Sequence, residues 1–368
     1  MNFDFTEEQQ LLADSVDAFM RDHCDFDAHR RIVATDLGYS TQNWARFAEL
    51  GWLAIPFNEH DGGLGFGPTE LSIVFERFGQ SLVTEPYLAN IVLAGGLLNR
   101  LGTVEQKTDW IPRLIAGDAQ MGVAYAEKTG RYHLDQITTT AERTEQGWQI
   151  SGHKIVALNA PNAEAIIVSA RGEDELMLFL VNPKSAGIQL NGYPTLDGAR
   201  AADLELRQVQ VDAKARLGNQ HAALPALVKT LDEATLCVCA EAVGAMTILL
   251  NKTTEYLKTR RQFGVPLSSF QALQHRATEM FIEIEQARSI VAMAVMAAES
   301  GIDVMRSVSA AKNRVGRAAR LVGQEAIQLH GGIGITDELD VGHYVKRLMM
   351  IEALFGNTDW HLQRFAAG

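Results

Sequence analysis

Two short stretches in the C-terminal half carry residue types suited to an anionic nucleotide. The first is Tyr256-x-x-x-Arg260-Arg261-Gln262-Phe263-Gly264, followed by Phe270-Gln271 and His275. Tyr256 and Arg260 are four apart and share a helix face. An arginine fork suits bidentate contact to a pyrophosphate, and Phe263, about one turn on, could lie against a ring such as adenine. The same residues also read as an ordinary helix end. Basic side chains favour the last turn, and Gly264 and Pro266 follow it. The second stretch is Gln328-Leu329-His330-Gly331-Gly332-Ile333-Gly334. Its glycines would let a ligand or another backbone approach closely. It follows a helical pattern rather than a strand and lacks G-x-G-x-x-G spacing, so it is no dinucleotide fingerprint. A simple helix stop with a turn fits it as well.

Other chemistry finds little support. His343 and His361 have no matched Cys, Asp or His at metal-ligand spacing, and neither a nucleophile elbow nor a P-loop is present. Net charge is -12, which argues against nucleic acid or an anionic membrane as the main partner. An anionic cofactor needs only a few local donors and stays open. The three cysteines, Cys24, Cys237 and Cys239, are too few and too unpaired for a disulfide scaffold. They point to a reducing, cytoplasmic compartment. Cys237 and Cys239 lie in an apolar run and read as buried small hydrophobes. The acidic N-terminus lacks the basic and apolar regions of a secretion signal, and no uncharged apolar stretch of about 18 residues is evident, so no membrane span is expected.

Three blocks must position these residues. Thr6 and Gln9 fit a capping box ahead of an apolar stripe at Leu12, Val16, Phe19 and Met20. A glycine-rich turn at 60–67 follows, then helical patterns over 68–82, 86–101 and 103–116. From 137 to 212 the chain turns β-branched and alternating, with strands expected at 137–143, 148–158, 165–171, 175–181 and 202–211. No helix intervenes, which predicts an antiparallel β module. Long helical patterns return at 222–259, 268–300, 303–329 and 339–354. Some are apolar on more than one face, as if buried by other subunits in a bundle.

Taken together the segments resemble the acyl-CoA dehydrogenase family over nearly the whole chain. The matching stretches are 3–20, 50–70, 101–118, 147–171, RRQFGVPLSSFQALQH at 260–275 and QLHGGIGITDE at 328–338. The resemblance implies an α+β fold: a helical N-terminal domain (1–119), a central antiparallel β-barrel-like domain (120–215) and a C-terminal four-helix bundle (216–368). It implies FAD as cofactor, an acyl-CoA substrate and an electron-transfer flavoprotein as acceptor. The reaction is α,β-desaturation, in which a Glu removes the α-proton and the flavin accepts the β-hydride. It assigns Arg260, Gln262, Phe263, Leu267, Phe270, Gln271, Gln328, Gly331 and Gly332 to the cofactor.

The chain departs from the family where a subunit serves its own flavin. At the Y-E-G-T position of the base it reads ALFGNTDWH, with Phe355 at the Glu position, or Gly356 after a one-residue shift. Glu352 and Asp359 are offset from it. The alternative base position, in L-D-x-E-R, is held by Ala234. Glu233 is one residue off, about 100° round a helix, and Glu241 lies two turns on. The T-E-x-x-x-G-S-D loop is AEKTGRYHL, with Arg131 at the Ser position. Of W-I-[TS]-N, here Val156-Ala157-Leu158-Asn159, only Asn159 matches. In the family the R-x-x-F-G and Q-x-x-G-G segments reach across to a neighbour's FAD, and those are retained. The resemblance therefore points to the smaller subunit of a heteromeric (α2β2) enzyme, a heterotetramer acting on steroid side-chain or dicarboxylic thioesters, with no catalytic residue of its own. The competing readings are a homo-oligomeric dehydrogenase with its base at Glu233 or Glu241, a flavin monooxygenase of the same fold, and a scaffold without flavin.

Overall fold

Helix 1 starts where its capping box says it should. Thr6 accepts from Gln9 N–H and the Gln9 side chain returns the bond to Thr6 N–H, opening α1 (Glu7–His23). Val16, Phe19 and Met20 are buried as the stripe requires; Ala13 takes the fully buried place expected of Leu12, which is half-buried. The structure is a computed structural model describing residues 5–172, 175–219 and 221–368. Phe3 and Asp4, at the head of the first matched segment, lie outside the described residues. Two compact units result: residues 1–31, 68–83 and 235–368 form one, and residues 32–67 and 84–234 the other.

The first unit is helical. Besides α1 it holds α4 (Pro68–Ser81), most of α7 (Ala223–Thr259), α8 (Gln271–Ser300), α9 (Val304–His330), α10 (Val341–Ala353) and α11 (Thr358–Ala367). Leu236, Ala294, Val308 and Ala311 bring α7, α8 and α9 into one core cluster. Gly301, in the left-handed region at φ 70°, stops α8. Helices α4 and α7 cross at two reciprocal glycines. A Cβ on Gly79 would sit 1.9 Å from Glu241 O, and one on Gly244 would sit 1.8 Å from Glu76 O. Gly244→Ala is therefore expected to cost about 1–3 kcal/mol through overpacking, read as a lower urea midpoint; an unchanged midpoint would show that the helices can separate freely.

Helix α7 corrects two expectations. A window within it is long and apolar enough to cross a bilayer by length and composition, where none was expected. Yet 78% of that window is buried inside the protein, so the burial foreseen from other subunits is supplied by the chain itself. Helix α8 differs: Phe281, Ile282, Met293 and Met296 remain exposed.

The second unit combines α3 (Thr41–Glu49), a π-helical turn (Leu88–Gly95) running into α5 (Gly96–Leu101), α6 (Val104–Ile115) and a sheet. Helix α2 (Phe26–Val33) links the units in sequence. The strands are β1 (Met121–Ala124), β2 (Thr140–Thr144), β3 (Gly147–Leu158), β4 (Ala165–Gly172), β5 (Glu175–Val181), β6 (Ile188–Pro194), β7 (Arg200–Asp212) and β8 (Arg216–Leu217). Their order is β6-β7-β3-β2-β4-β5-β8, with β1 on β4. The ladders are antiparallel except that β1 runs parallel to β4 and β2 touches β4 in parallel at Thr140↔Arg171. Trp148, Ile150, Val168, Phe179, Leu204 and Val209 form the core of this sheet. The sequence reading missed β1, β6, β8 and α11; it takes the first third of the chain as helical without delimiting α2 and α3.

Candidate functional site

Chain geometry just after α7 builds a groove in the helical unit. Arg260 follows the last helical residue, its N–H bonded to Tyr256 O at 2.8 Å. The chain then forms a hairpin, β9 (Arg261–Gln262) and β10 (Val265–Pro266). Phe263 (φ 55°) and Gly264 (φ 83°) both adopt left-handed backbone, as a two-residue type I′ turn demands. Leu267 N–H returns to Arg260 O at 2.8 Å and pins the arm. At the far end, α9 stops at Gly331, φ 66°.

Between them lies an open groove of about 700 Å³. Arg260, Gln262, Leu267, Gln328, Gly331 and Gly332 line it, so six of the nine cofactor candidates converge. Phe263 does not line it. It stands 90% exposed at the hairpin tip, edge-on to Phe270 with ring centroids 6.2 Å apart. Phe270 and Gln271, which opens α8, also lie off the groove. Tyr256, Arg276 and His330 line it and were not among the candidates. The available signal was the four-residue step from Tyr256 to Arg260 and the place of His330 between Gln328 and Gly331.

The groove's chemistry fits a pyrophosphate. Among the described residues no carboxylate pairs with Arg260, whereas Arg276 is held by Glu325. A Cβ on Gly331 or Gly332 would meet nothing within 4 Å. Bare backbone therefore faces open space beside a free guanidinium and two side-chain amides. Those are the donors a flavin nucleotide's phosphates need.

The positions that the sequence resemblance assigns to the family base are apolar or occupied. Phe355 is buried and left-handed at φ 59°. Gly356 has no room for a side chain, since a Cβ would lie 2.4 Å from Trp360 Cε3. Lys312, fully buried on α9, fixes this turn by donating to the carbonyls of Glu352 (3.2 Å), Leu354 (3.0 Å) and Gly356 (2.6 Å). Glu352 accepts from Thr358 N–H and Oγ1 at 2.9 and 2.7 Å. His361 packs beneath Gly356; burial, with the Lys312 and Arg364 charges, pushes it down to about 3 and keeps it neutral. Ala234 is fully buried. Glu233 is ion-paired with Arg100, which also reaches Thr230 Oγ1 at 3.3 Å. Glu241 is buried 2.8 Å from Arg347 Nε. Cys239 is buried, which pushes its thiol up to about 12; this suits packing rather than nucleophilic chemistry.

In the β unit the loop bearing Arg131 is tied down by Glu127. Its carboxylate accepts from Thr138 N–H (2.7 Å) and Oγ1 (2.6 Å), from Thr139 N–H (3.1 Å) and Oγ1 (2.7 Å), and from Lys154 Nζ (2.7 Å). Lys154 also donates to Ser169 Oγ at 2.9 Å. Arg131 is exposed and left-handed at φ 48°. Val156 sits in the bulge of β3 at φ 51°, a strained backbone for a β-branched residue. Asn159 is engaged structurally, donating to Gln120 Oε1 at 2.9 Å.

Comparison with known proteins follows the same order of blocks. Residues 6–118 match the acyl-CoA dehydrogenase N-terminal domain, 122–212 the middle domain and 224–368 the C-terminal domain. The probable acyl-CoA dehydrogenase YngJ of Bacillus subtilis is 28% identical over 370 residues, 98% of this chain and 97% of that protein. Among solved structures, a chain of the ChsE4-ChsE5 complex from Mycobacterium tuberculosis superposes with a TM-score of 0.92 at 27% identity, covering 100% of this chain and 98% of that one. A variant of the Tcur3481-Tcur3483 steroid ACAD gives 0.89 at 30% identity, covering 98% and 97%.

Proposed function

Since this chain belongs to the acyl-CoA dehydrogenase family, whose members are FAD-dependent oxidoreductases acting on CH–CH bonds, we propose that it works as one subunit of a heteromeric enzyme. It contributes the groove at Arg260, Gln262, Gln328, Gly331 and Gly332 to the FAD of a homologous partner, and that partner supplies the base. Phe263, Leu267, Phe270 and Gln271 are assigned to the same contact, the exposed hairpin reaching the partner's side. FAD, when bound, accepts the hydride from the substrate. This chain's part is to hold its pyrophosphate and to order the surrounding arm. The substrate is an acyl-CoA thioester of steroid side-chain or dicarboxylic type, the electron acceptor an electron-transfer flavoprotein and the compartment the cytoplasm. The proposed domains are 1–119, 120–215 and 216–368.

One observation carries the reading. The groove keeps a free Arg260 and open glycines, while both base positions hold the buried apolar residues Phe355 and Ala234. The heteromeric ChsE4-ChsE5 and Tcur3481-Tcur3483 structures support it by likeness. The relocated-base alternative is weakened because Glu233 and Glu241 are each ion-paired with an arginine.

The test compares flavin per mole in this chain alone and co-produced with a homologous chain. Flavin is expected only in the mixed particle. Arg260→Ala should weaken FAD there by roughly 10–150-fold, the loss of a charge-assisted hydrogen bond of about 1.5–3 kcal/mol. Arg260→Lys should not rescue it, since a point charge lacks the fork. Glu233→Gln and Glu241→Gln should leave turnover within about twofold of normal, apart from any loss of stability. Stoichiometric flavin and turnover in the chain alone would overturn the reading, and turnover abolished by either Gln variant would return the base to this chain.

A further inference from the structure

We propose that His330 reads the nucleoside of the bound dinucleotide, through a hydrogen bond accepted at its Nε2; the assignment rests on the groove being a flavin-nucleotide site. His330 is 5% exposed, yet it lines the groove with Arg260, Gln328 and Gly331. Its ring stacks on Tyr256, with centroids 4.6 Å apart and planes 29° from parallel. Nδ1 lies 2.8 Å from Ala326 O. A carbonyl oxygen can only accept, so Nδ1 carries a proton; in that tautomer Nε2 is the ring's acceptor. Among the described residues no hydrogen-bond partner meets Nε2, on a ring that lines the groove.

The remaining polar side chains of the groove define what that acceptor is for. Arg260 and Arg276 are donors only; Gln262, Gln328 and Tyr256 can donate or accept. A pyrophosphate offers oxygen acceptors alone, so it engages the donors and has nothing to give to Nε2. The groups of an adenine nucleotide that can donate are the ribose hydroxyls and the adenine 6-amino group. An acceptor held by a backbone bond on one side and a stacked ring on its face is pre-ordered to meet one of them. Its contribution is selectivity, because a ligand that covers Nε2 without giving it a donor strands the acceptor away from water.

The experiment measures nucleotide binding by calorimetry on the flavin-stripped mixed particle, with ADP, inosine diphosphate, 2′-deoxy-ADP and 3′-deoxy-ADP. The wild type is expected to bind ADP and to disfavour one analogue by about tenfold, the one lacking the donor that Nε2 meets. His330→Phe keeps the stack on Tyr256 and removes both nitrogens. It should weaken ADP by about the same factor and abolish the preference. His330→Gln, which restores an acceptor, should keep part of the preference. Arg260→Ala should weaken all four nucleotides alike and leave the preference intact. A wild type indifferent to all three analogues overturns the proposal without any variant. A His330→Phe protein that keeps the preference overturns it too, while loss of binding in Arg260→Ala would leave the groove reading standing. No ADP binding by the folded wild type sinks both.

Discussion

Lys154→Met should lower the stability of the β unit by about 3–5 kcal/mol at neutral pH, seen as an earlier transition in chemical unfolding. The ammonium is completely buried and 2.7 Å from Glu127. Removing it strands a carboxylate that is itself 3% exposed. Four donors from Thr138 and Thr139 would remain on that carboxylate, but hydrogen bonds do not supply the missing countercharge. The double variant Glu127→Gln, Lys154→Met should regain at least about 1 kcal/mol of the loss, because a neutral pair avoids the buried charge. A single variant as stable as the wild type would show that water reaches Glu127.

The same pair sets an acid limit. Burial pushes the Glu127 carboxyl up, but the Lys154 charge and the hydrogen bonds outweigh it and hold the group at about 2. Its folded value is thus below its unfolded one, near 4.5. The stability it contributes is complete above about pH 4.5 and is lost as pH falls through 2. Lys154 has the opposite sign. Burial lowers it to about 8, more than Glu127 can restore. The folded state then holds fewer protons than the unfolded state between 8 and 10.5, so this group's contribution rises with pH across that window. Unfolding at pH 7, 4 and 3 should show the acid loss, and Glu127→Gln should flatten it.

Lys312→Met is expected to cost about 3 kcal/mol and, unlike the first variant, to act locally. Three carbonyls, at 352, 354 and 356, would lose their donor, the last of them buried and the others partly so. Each unsatisfied group costs about 1–3 kcal/mol, offset in part because burying the ammonium also carries a cost. The ammonium, carried on α9, reaches the C-terminus of α10, where a positive charge also complements the helix dipole. Hydrogen exchange should therefore accelerate across 354–368 while α8 stays protected. Uniform acceleration across all helices would mean that Lys312 supports the whole unit rather than this turn.

Much of the fold is legible because its signals are local. The Thr6–Gln9 box, the apolar run of 175–181 and the Gly301 stop act over four to seven residues, and each marks an element edge within a residue or two. β1 escaped because all four of its residues are buried, leaving no alternation, and its partner β4 lies some 40 residues on. The arm at 261–266 escaped because Phe263 is a poor left-handed residue, and nothing nearby announces a type I′ turn except Gly264. The proposed absence of a base rests on residue type alone, since a phenylalanine or an alanine cannot take a proton in any fold.

Residue types thus settled the family and the order of blocks, because those depend on chemistry and short-range pattern. Only the tertiary structure decided which acids were spoken for. Glu233 finds Arg100 across 133 positions and Glu241 finds Arg347 across 106. It also decided that Arg260 and Gln328, 68 positions apart, share one groove while Phe263 stands outside it. Such pairings follow from how helices and strands close on one another, and no local signal in the sequence specifies them.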